Sequence, residues 1–176
     1  MPIVTITYLE MFSPAAIRPK HCGDTRFSIH ECTVKQWKFN RFFYFTVGES
    51  WTWNDKRDWS DEQWRAYAES DRLQTFAAYY DGSPAGYFEL HEGDSREIEI
   101  SYLGLLPAFY GRGFGGALLT RALEEAWKAQ PSRVWVHTCT NDHDAALPNY
   151  RARGMKIYKI ETHEPSSSTD NLIRNP

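Results

Sequence analysis

An α/β fold, of the α+β kind, is predicted by three observations. Residues 75–80, 85–91 and 97–106 read as strands separated by the turn signals Asp81-Gly82 and Gly93-Asp94, which makes an antiparallel meander. The third strand runs through Pro107 into a glycine-dense turn and the start of an amphipathic helix. A strand, a helix ended by Gly154 and a last strand then follow.

Along the chain, residues 3–10 alternate apolar and polar side chains, the period of a half-buried strand. A Pro- and Gly-containing connection over 13–24 leads to a second strand at 26–31. From Val34 to Val47 the positions of Trp37, Arg41 (through its stem), Phe42 and Phe45 have helical spacing. Phe42-Phe43-Tyr44-Phe45-Thr46 also fits a strand; helix is favoured, ended by Gly48. Ser60 is placed to cap a helix and Gln63 to close a capping box, with Trp64 and Tyr67 on the apolar side. Leu119, Ala122, Leu123 and Ala126 give the helix over 113–129 its buried stripe. Residues 134–138 make a short strand, 144–153 a helix and 155–161 the final strand. The Ser-rich, polar stretch 164–176 is expected to be disordered, leaving residues 1–163 as one domain.

Composition narrows the function classes. A chain of 176 residues is long enough to bury roughly 70% of its unfolded surface. Twenty Lys and Arg against 23 Asp and Glu give a formal charge of −3, without the basic field of a general nucleic-acid binder. No apolar run approaches membrane-spanning length, and Met1-Pro2-Ile3-Val4-Thr5 lacks the regions of a signal peptide, so a cytoplasmic location is expected. Cys22, Cys32 and Cys139 are odd in number and read as reduced thiols. Aromatic residues reach 15% of the chain, seven of them Trp, as in a lined cavity or a tight core.

Gly111-Arg112-Gly113-Phe114-Gly115-Gly116 brings four glycines into six residues. Without Cβ atoms the backbone turns tightly and several N–H groups can approach one ligand. The first N–H groups of the following helix lack internal partners, so the turn suits a phosphate or pyrophosphate. The segment formally matches the dinucleotide fingerprint G-x-G-x-x-G. That reading is weak, because Pro107 to Tyr110 separate strand from glycines and the next strand ends at His137-Thr138 rather than at an acid.

A meander feeding a glycine turn and helix, then strand, helix and strand, resembles the GNAT superfamily of acetyl-CoA-dependent N-acetyltransferases. Tyr110-Gly111-Arg112-Gly113-Phe114-Gly115 matches the two glycines of the family's Q/R-x-x-G-x-G/A signature, with Tyr110 replacing Gln or Arg. Ala146, Tyr150 and Gly154 fall in register with the family pattern Asn-x-x-Ala-x-x-x-Tyr-x-x-x-Gly-Phe, where His143 replaces Asn and Met155 replaces Phe. The resemblance covers residues 75–160.

It implies a central mixed, mostly antiparallel sheet with helices on both faces and a splayed strand pair at the coenzyme A site. It implies an acyltransferase moving acetyl from acetyl-CoA to a primary amine, on a small molecule or a protein, by direct attack. Leu105 (backbone), Tyr110, Gly111, Arg112, Gly113, Phe114, Gly115, Gly116 and His143 would then contact coenzyme A, with Leu103 on the same strand edge as Leu105. Tyr150 would protonate the leaving thiolate, since a phenol with an ordinary pKa near ~10 is protonated at neutral pH; it would otherwise be a packed helix residue. Glu99 is the candidate base, on the position where several family members carry a glutamate, with Glu97 in reserve. Strand alternation places Glu97, Glu99, Ser101 and Leu103 on one face and Ile98, Ile100 and Tyr102 on the other.

The acceptor is expected against the segment from Trp51 to Trp59, where Trp51, Trp53 and Asp55 offer aromatic faces and a carboxylate to a cation; a Trp-rich packing loop reads equally well. His137, Cys139 and His143 lack a fourth ligand and the common zinc spacing, so no metal is expected. His143 is read as standing in for the family Asn, or as a helix cap, a role Asp142 or Asp144 could equally fill. Neither nucleic acid nor membrane is expected as a partner, and a homodimer would be unremarkable. A non-catalytic acyl-CoA-binding module of the same fold remains the alternative function.

Overall fold

The computed structural model describes residues 3–51 and 53–163, so the tail expectation over 164–176 lies outside the described residues. Seven strands, β1 (Val4–Met11), β2 (Phe27–Glu31), β3 (Leu73–Tyr80), β4 (Ser83–Glu92), β5 (Ile98–Leu105), β6 (Val134–Cys139) and β7 (Lys156–His163), form one sheet in the order β2-β3-β4-β5-β6-β1-β7. Every pairing is antiparallel except β5 with β6. The amino-terminal strand therefore lies between the last two strands of the chain.

Helices α1 (Trp37–Gly48) and α2 (Asp61–Ala68) cover one face, and α3 (Phe114–Lys128) and α4 (Ala146–Ala152) the other. Leu118, Leu119, Ala122, Leu123 and Ala126 of α3 are fully buried against Phe88, Ile100 and Val136. Burying each Leu stabilises by about 1.5–3 kcal/mol. On the opposite face Phe43, Tyr44 and Val47 of α1 and Trp64 of α2 pack on Ala77, Tyr87 and Tyr102. No described helix is long and apolar enough to cross a membrane.

The capping box forms as expected: Ser60 Oγ accepts from Gln63 N and Gln63 Oε1 accepts from Ser60 N. Two helices differ from the sequence reading. The first begins at Trp37, leaving Val34 exposed, and its buried stripe is Trp37, Asn40, Phe43, Tyr44 and Val47, with Phe42 outward. Asn40 sits in that stripe because its amide donates to Thr75 Oγ1 (2.7 Å) and Glu89 Oε1 (2.8 Å), a polar anchor that an apolar pattern cannot show. The helix expected over 144–153 begins at Ala146. Asp142 turns back to accept from Thr138 Oγ1 and Cys139 N, and His143 Nδ1 accepts from Ala145 N.

The expected alternation along β5 breaks at Ser101. Glu89 pairs with Tyr102 but Leu90 pairs with Ile100, so Ser101 is an inserted bulge residue. Ile98 and Ile100 join the α3 core, Tyr102 joins the α1 core, and Leu103 and Leu105 return to the α3 side. Glu99 and Leu103 consequently stand on opposite faces, not on one.

Candidate functional site

Strands β5 and β6 pair only at Ile98 with Val134 and Glu99 with Trp135, then part. The gap opens a cavity of about 490 Å³, walled by Ser101, Leu103, Gly104 and Leu105 on one side and by Val136, His137, Asn149 and Tyr150 on the other. Hydrogen bonding fixes which backbone groups look into it. Leu106 N donates to Ala85 O at 2.8 Å, and register then makes Gly104 with Tyr87 and Tyr102 with Glu89 the bonded pairs of the β4–β5 ladder. The N–H and C=O groups of Leu103 and Leu105 must point the other way, toward the gap. A strand edge with two N–H donors aimed at one opening is suited to a carbonyl oxygen that gains negative charge.

At the far end lies the glycine turn. Gly111 and Gly113 hold φ of +73° and +79°, a region that side chains rarely enter, and Gly113 is the N-cap of α3. Gly111, Gly113, Gly115 and Gly116 line the cavity, as does Tyr110. Arg112 and Phe114 contribute no side chain to it: the Arg112 guanidinium lies over Tyr80 and Phe109, and the Phe114 ring is buried against Phe27 with centroids 4.4 Å apart.

Two cations that the sequence pattern does not single out reach the turn instead. A Cβ on Gly116 would lie 2.6 Å from Lys20 Cδ and 2.7 Å from Arg153 Nη1, and one on Gly113 would lie 3.5 Å from Lys20 Nζ. Lys20 belongs to the β1–β2 connection, which straps across the helices: Lys20 N donates to Thr120 Oγ1 of α3 and Arg18 N to Arg153 O after α4. Both side chains line the cavity. No local pattern reveals them, because each is brought to the turn by tertiary packing.

Tyr150 is buried on α4 and lines the wall, and its neighbour Asn149 donates to Gly115 O at 3.1 Å, tying that helix to the turn. Trp51, Tyr110 and His143 form an aromatic rim. Trp51 Nε1 donates to the Tyr110 hydroxyl at 3.2 Å, and the His143 ring lies 5.0 Å from Trp51 and 5.3 Å from Tyr110. The acceptance at His143 Nδ1 leaves the ring hydrogen on Nε2 when the imidazole is neutral.

The rest of the Trp-rich segment closes on itself. Trp53 is buried and packs under Gly48 and Gly104, at the cavity wall. Asp55 is not among the lining residues: its carboxylate takes Lys56 Nζ at 2.9 Å and the hydroxyls of Tyr44 and Tyr102. Lys56 Nζ also donates to Tyr102 and lies 4.4 to 4.9 Å from the ring centres of Trp59, Tyr67 and Tyr102. The cation that these aromatic faces attract is thus the chain's own lysine. Nearby Glu89 is fully buried; burial pushes its carboxyl up, against hydrogen bonds from Tyr67 and Asn40 that pull it down.

The two candidate bases also sit off the cavity wall. Glu97 is ion-paired with Arg133 at 2.7 Å, and Arg133 bridges on to Glu10. Glu99 lies behind His137, its Oε1 3.6 Å from His137 Nδ1, and it is His137 that lines the cavity. Among the described residues no cluster of His, Cys, Asp or Glu could hold a metal ion.

A sequence-family model described as the acetyltransferase (GNAT) family matches residues 34–155. The chain belongs to this family. It is an acyltransferase by that membership, and acetyl-CoA is the donor general to the family. The acetyltransferase is 29% identical over 108 residues to an uncharacterised N-acetyltransferase of Mycobacterium tuberculosis, covering 59% of the chain and 69% of that relative. In fold it is similar to a GCN5-related N-acetyltransferase from Sphaerobacter thermophilus, with a TM-score of 0.67 at 19% identity over 92% of the chain. It spans 51% of that structure's chain. An IAA acetyltransferase from Bacillus cereus superposes with a TM-score of 0.58 at 23% identity, over 76% of this chain and 79% of the other.

Donor-site residues fit acetyl-CoA on the acetyltransferase's own geometry. The missing Cβ of Gly116 lets Lys20 and Arg153 lie directly against the turn, so that positive charge stands beside the N–H groups of the α3 N-terminus.

Proposed function

We propose that this acetyltransferase moves the acetyl group of acetyl-CoA to a primary amine, on a small molecule or a protein, by direct attack at the thioester. The observation that carries the reading is the single cavity joining a phosphate-binding turn, a strand edge with two inward N–H groups, and a tyrosine. When bound, acetyl-CoA supplies the activated carbonyl and the thiol leaving group. Backbone N–H groups of residues 113–116, with Lys20 and Arg153, hold the pyrophosphate. The N–H groups of Leu103 and Leu105 orient the pantetheine arm and stabilise charge on the acetyl oxygen. The Tyr150 hydroxyl protonates the departing sulfur. Direct attack is favoured because neither Cys22, Cys32 nor Cys139 lines the cavity. The rim of Trp51, Tyr110 and His143 marks where the acceptor enters.

Thermal shift with acetyl-CoA and with NAD, followed by thiol release against an amine panel, tests the reading. Stabilisation by acetyl-CoA alone and thiol release with at least one amine are expected. Acetyl-CoA binding without thiol release with any amine would leave a non-catalytic acyl-CoA-binding module; stabilisation by NAD instead would overturn the donor.

A further inference from the structure

We propose that Ile100 and Val136 form the floor on which the acyl end of the donor rests, and that their side chains limit the donor to short acyl groups. The inference rests on the reading of the cavity as an acyl-CoA transfer site. Strands β5 and β6 pair at Ile98 with Val134 and at Glu99 with Trp135; the next residue on each strand, Ile100 and Val136, lines the cavity. These two side chains therefore stand where the fork between the strands begins. A pantetheine arm that enters at the glycine turn and follows β5 past Leu105 and Leu103 carries its acyl group toward that end.

The fork has two unlike faces. On the α3 side Ile100, Val136 and Leu118 belong to one buried cluster and offer only hydrocarbon. On the other side Ser101 and His137 line the wall. An apolar acyl tail leaves water most favourably against the hydrocarbon. Tyr150, read as the acid for the departing sulfur, belongs to the same cluster, so the thioester and this floor lie on one side of the sheet.

Burial shows where the cavity stops. Ile100 and Val136 line it yet are each only 2% exposed, and Leu118 beside them is fully buried. Ile98 and Val134, one step back along the same strand faces, are buried and are not among the lining residues. Beyond the floor lie the paired ladder and the α3 core, and a packed core accepts extra methylenes only with strain. One methylene too many in an apolar recess changes discrimination on the order of 10- to 200-fold.

The chemistry is the same for every chain length. The amine nitrogen bonds to the acyl carbon, the C–S bond breaks, and one proton passes from amine to thiol. Selection among donors is then left to the fit of the tail, and Ile100 and Val136 are its specificity-determining residues.

The test compares wild type with Val136→Ala, Ile100→Val, Val136→Ile and Val134→Ala. Calorimetry gives the affinities of coenzyme A, acetyl-CoA and butyryl-CoA, and thiol release with benzylamine, tyramine and spermidine as acceptor probes gives kcat/KM for the two donors. In the wild type, butyryl-CoA should fall about tenfold or more below acetyl-CoA in kcat/KM. Val136→Ala should raise the butyryl-to-acetyl ratio roughly tenfold, in affinity as in kcat/KM. Ile100→Val should raise it less, and Val136→Ile should lower it. Coenzyme A itself, which has no acyl tail, should bind all the variants equally. Val134→Ala makes the same truncation on the same strand face below the fork, so it should lower Tm as Val136→Ala does while leaving the ratio unchanged. Ile100→Val and Val136→Ile keep the comparison decisive should Val136→Ala fail to fold. Ratios unchanged in the floor variants, or moved equally by Val134→Ala, would overturn the floor, as would a wild type that uses butyryl-CoA as well as acetyl-CoA. No thiol release by wild type with any of the three probes, beside the expected ranking of affinities, would overturn the transfer reading and leave the floor standing.

Discussion

Two regions of this molecule carry the residue types of a ligand site, and they end differently. Around the glycine turn, backbone N–H groups, Lys20 and Arg153 converge on an open cavity. In the segment from Trp51 to Trp59, aromatic faces and a carboxylate converge equally well, but Lys56 of the same segment fills the space. Trp51, at one end, turns to the rim, and Trp53 reaches the cavity wall. The difference lies in who owns the complementary charge. A site whose counter-charge is absent from the fold can receive a ligand; one whose counter-charge is the neighbouring residue becomes a clamp. Here the clamp holds the loop over Gly104 and so supports the wall of the other site.

The largest expected effect separates the two regions directly. Lys56→Met leaves the Asp55 carboxylate in its buried site without a cation, with both side chains about a tenth exposed. A decrease of about 3–5 kcal/mol in unfolding free energy by urea titration is expected, with acetyl-CoA affinity of the folded protein changed less than about threefold. A large drop in affinity with intact stability would make Lys56 part of the ligand site instead. Next is Tyr150→Phe, where single-turnover thiol release should slow by about 100-fold while calorimetric acetyl-CoA binding is retained. Unchanged turnover would reduce Tyr150 to packing.

Lys20→Ala sharpens the contrast from the other side. Removing one charge-assisted hydrogen bond to phosphate should weaken acetyl-CoA binding roughly tenfold or more, about 1.5–3 kcal/mol, with Tm little altered. The smallest effect concerns Glu89, whose carboxyl is raised chiefly by burial. The folded state then holds that proton more tightly than the unfolded chain does. Its contribution to stability is present below the ordinary carboxylate range, near ~4.3, and is lost as pH rises through the raised folded value. Glu89→Gln should therefore gain Tm relative to wild type as pH rises above the ordinary carboxylate range, and a relative decrease on that rise would contradict the buried, raised carboxyl.

The sequence is most legible where structure is local. The meander, its Gly-containing turns, the Ser60 capping box and the glycine turn each depend on residues a few positions apart, and each is found. Ser101 shows the limit: a single inserted residue reverses every face after it, and nothing in Ile98 to Leu105 marks the insertion. That one step puts Glu99 and Leu103, which alternation places together, on opposite faces of the strand. Asn40, buried for its bonds to Thr75 and Glu89, disguises the true stripe of α1. Lys20 and Arg153 are illegible in the sequence because only the packing of the β1–β2 connection across α3 and α4 brings them to the turn. The insertion of β1 between β6 and β7 joins the first strand to the last, a pairing that no run of neighbouring residues encodes.

The most direct measurement is a crystal structure of the protein with acetyl-CoA. The expected result is a pyrophosphate within about 3 Å of the N–H groups of residues 113–116, with Lys20 and Arg153 on it and the thioester between Leu105 and Tyr150. A donor seated against Asp55, Lys56 and Trp59, or bound without contact to the turn, would contradict the assignment of the two regions.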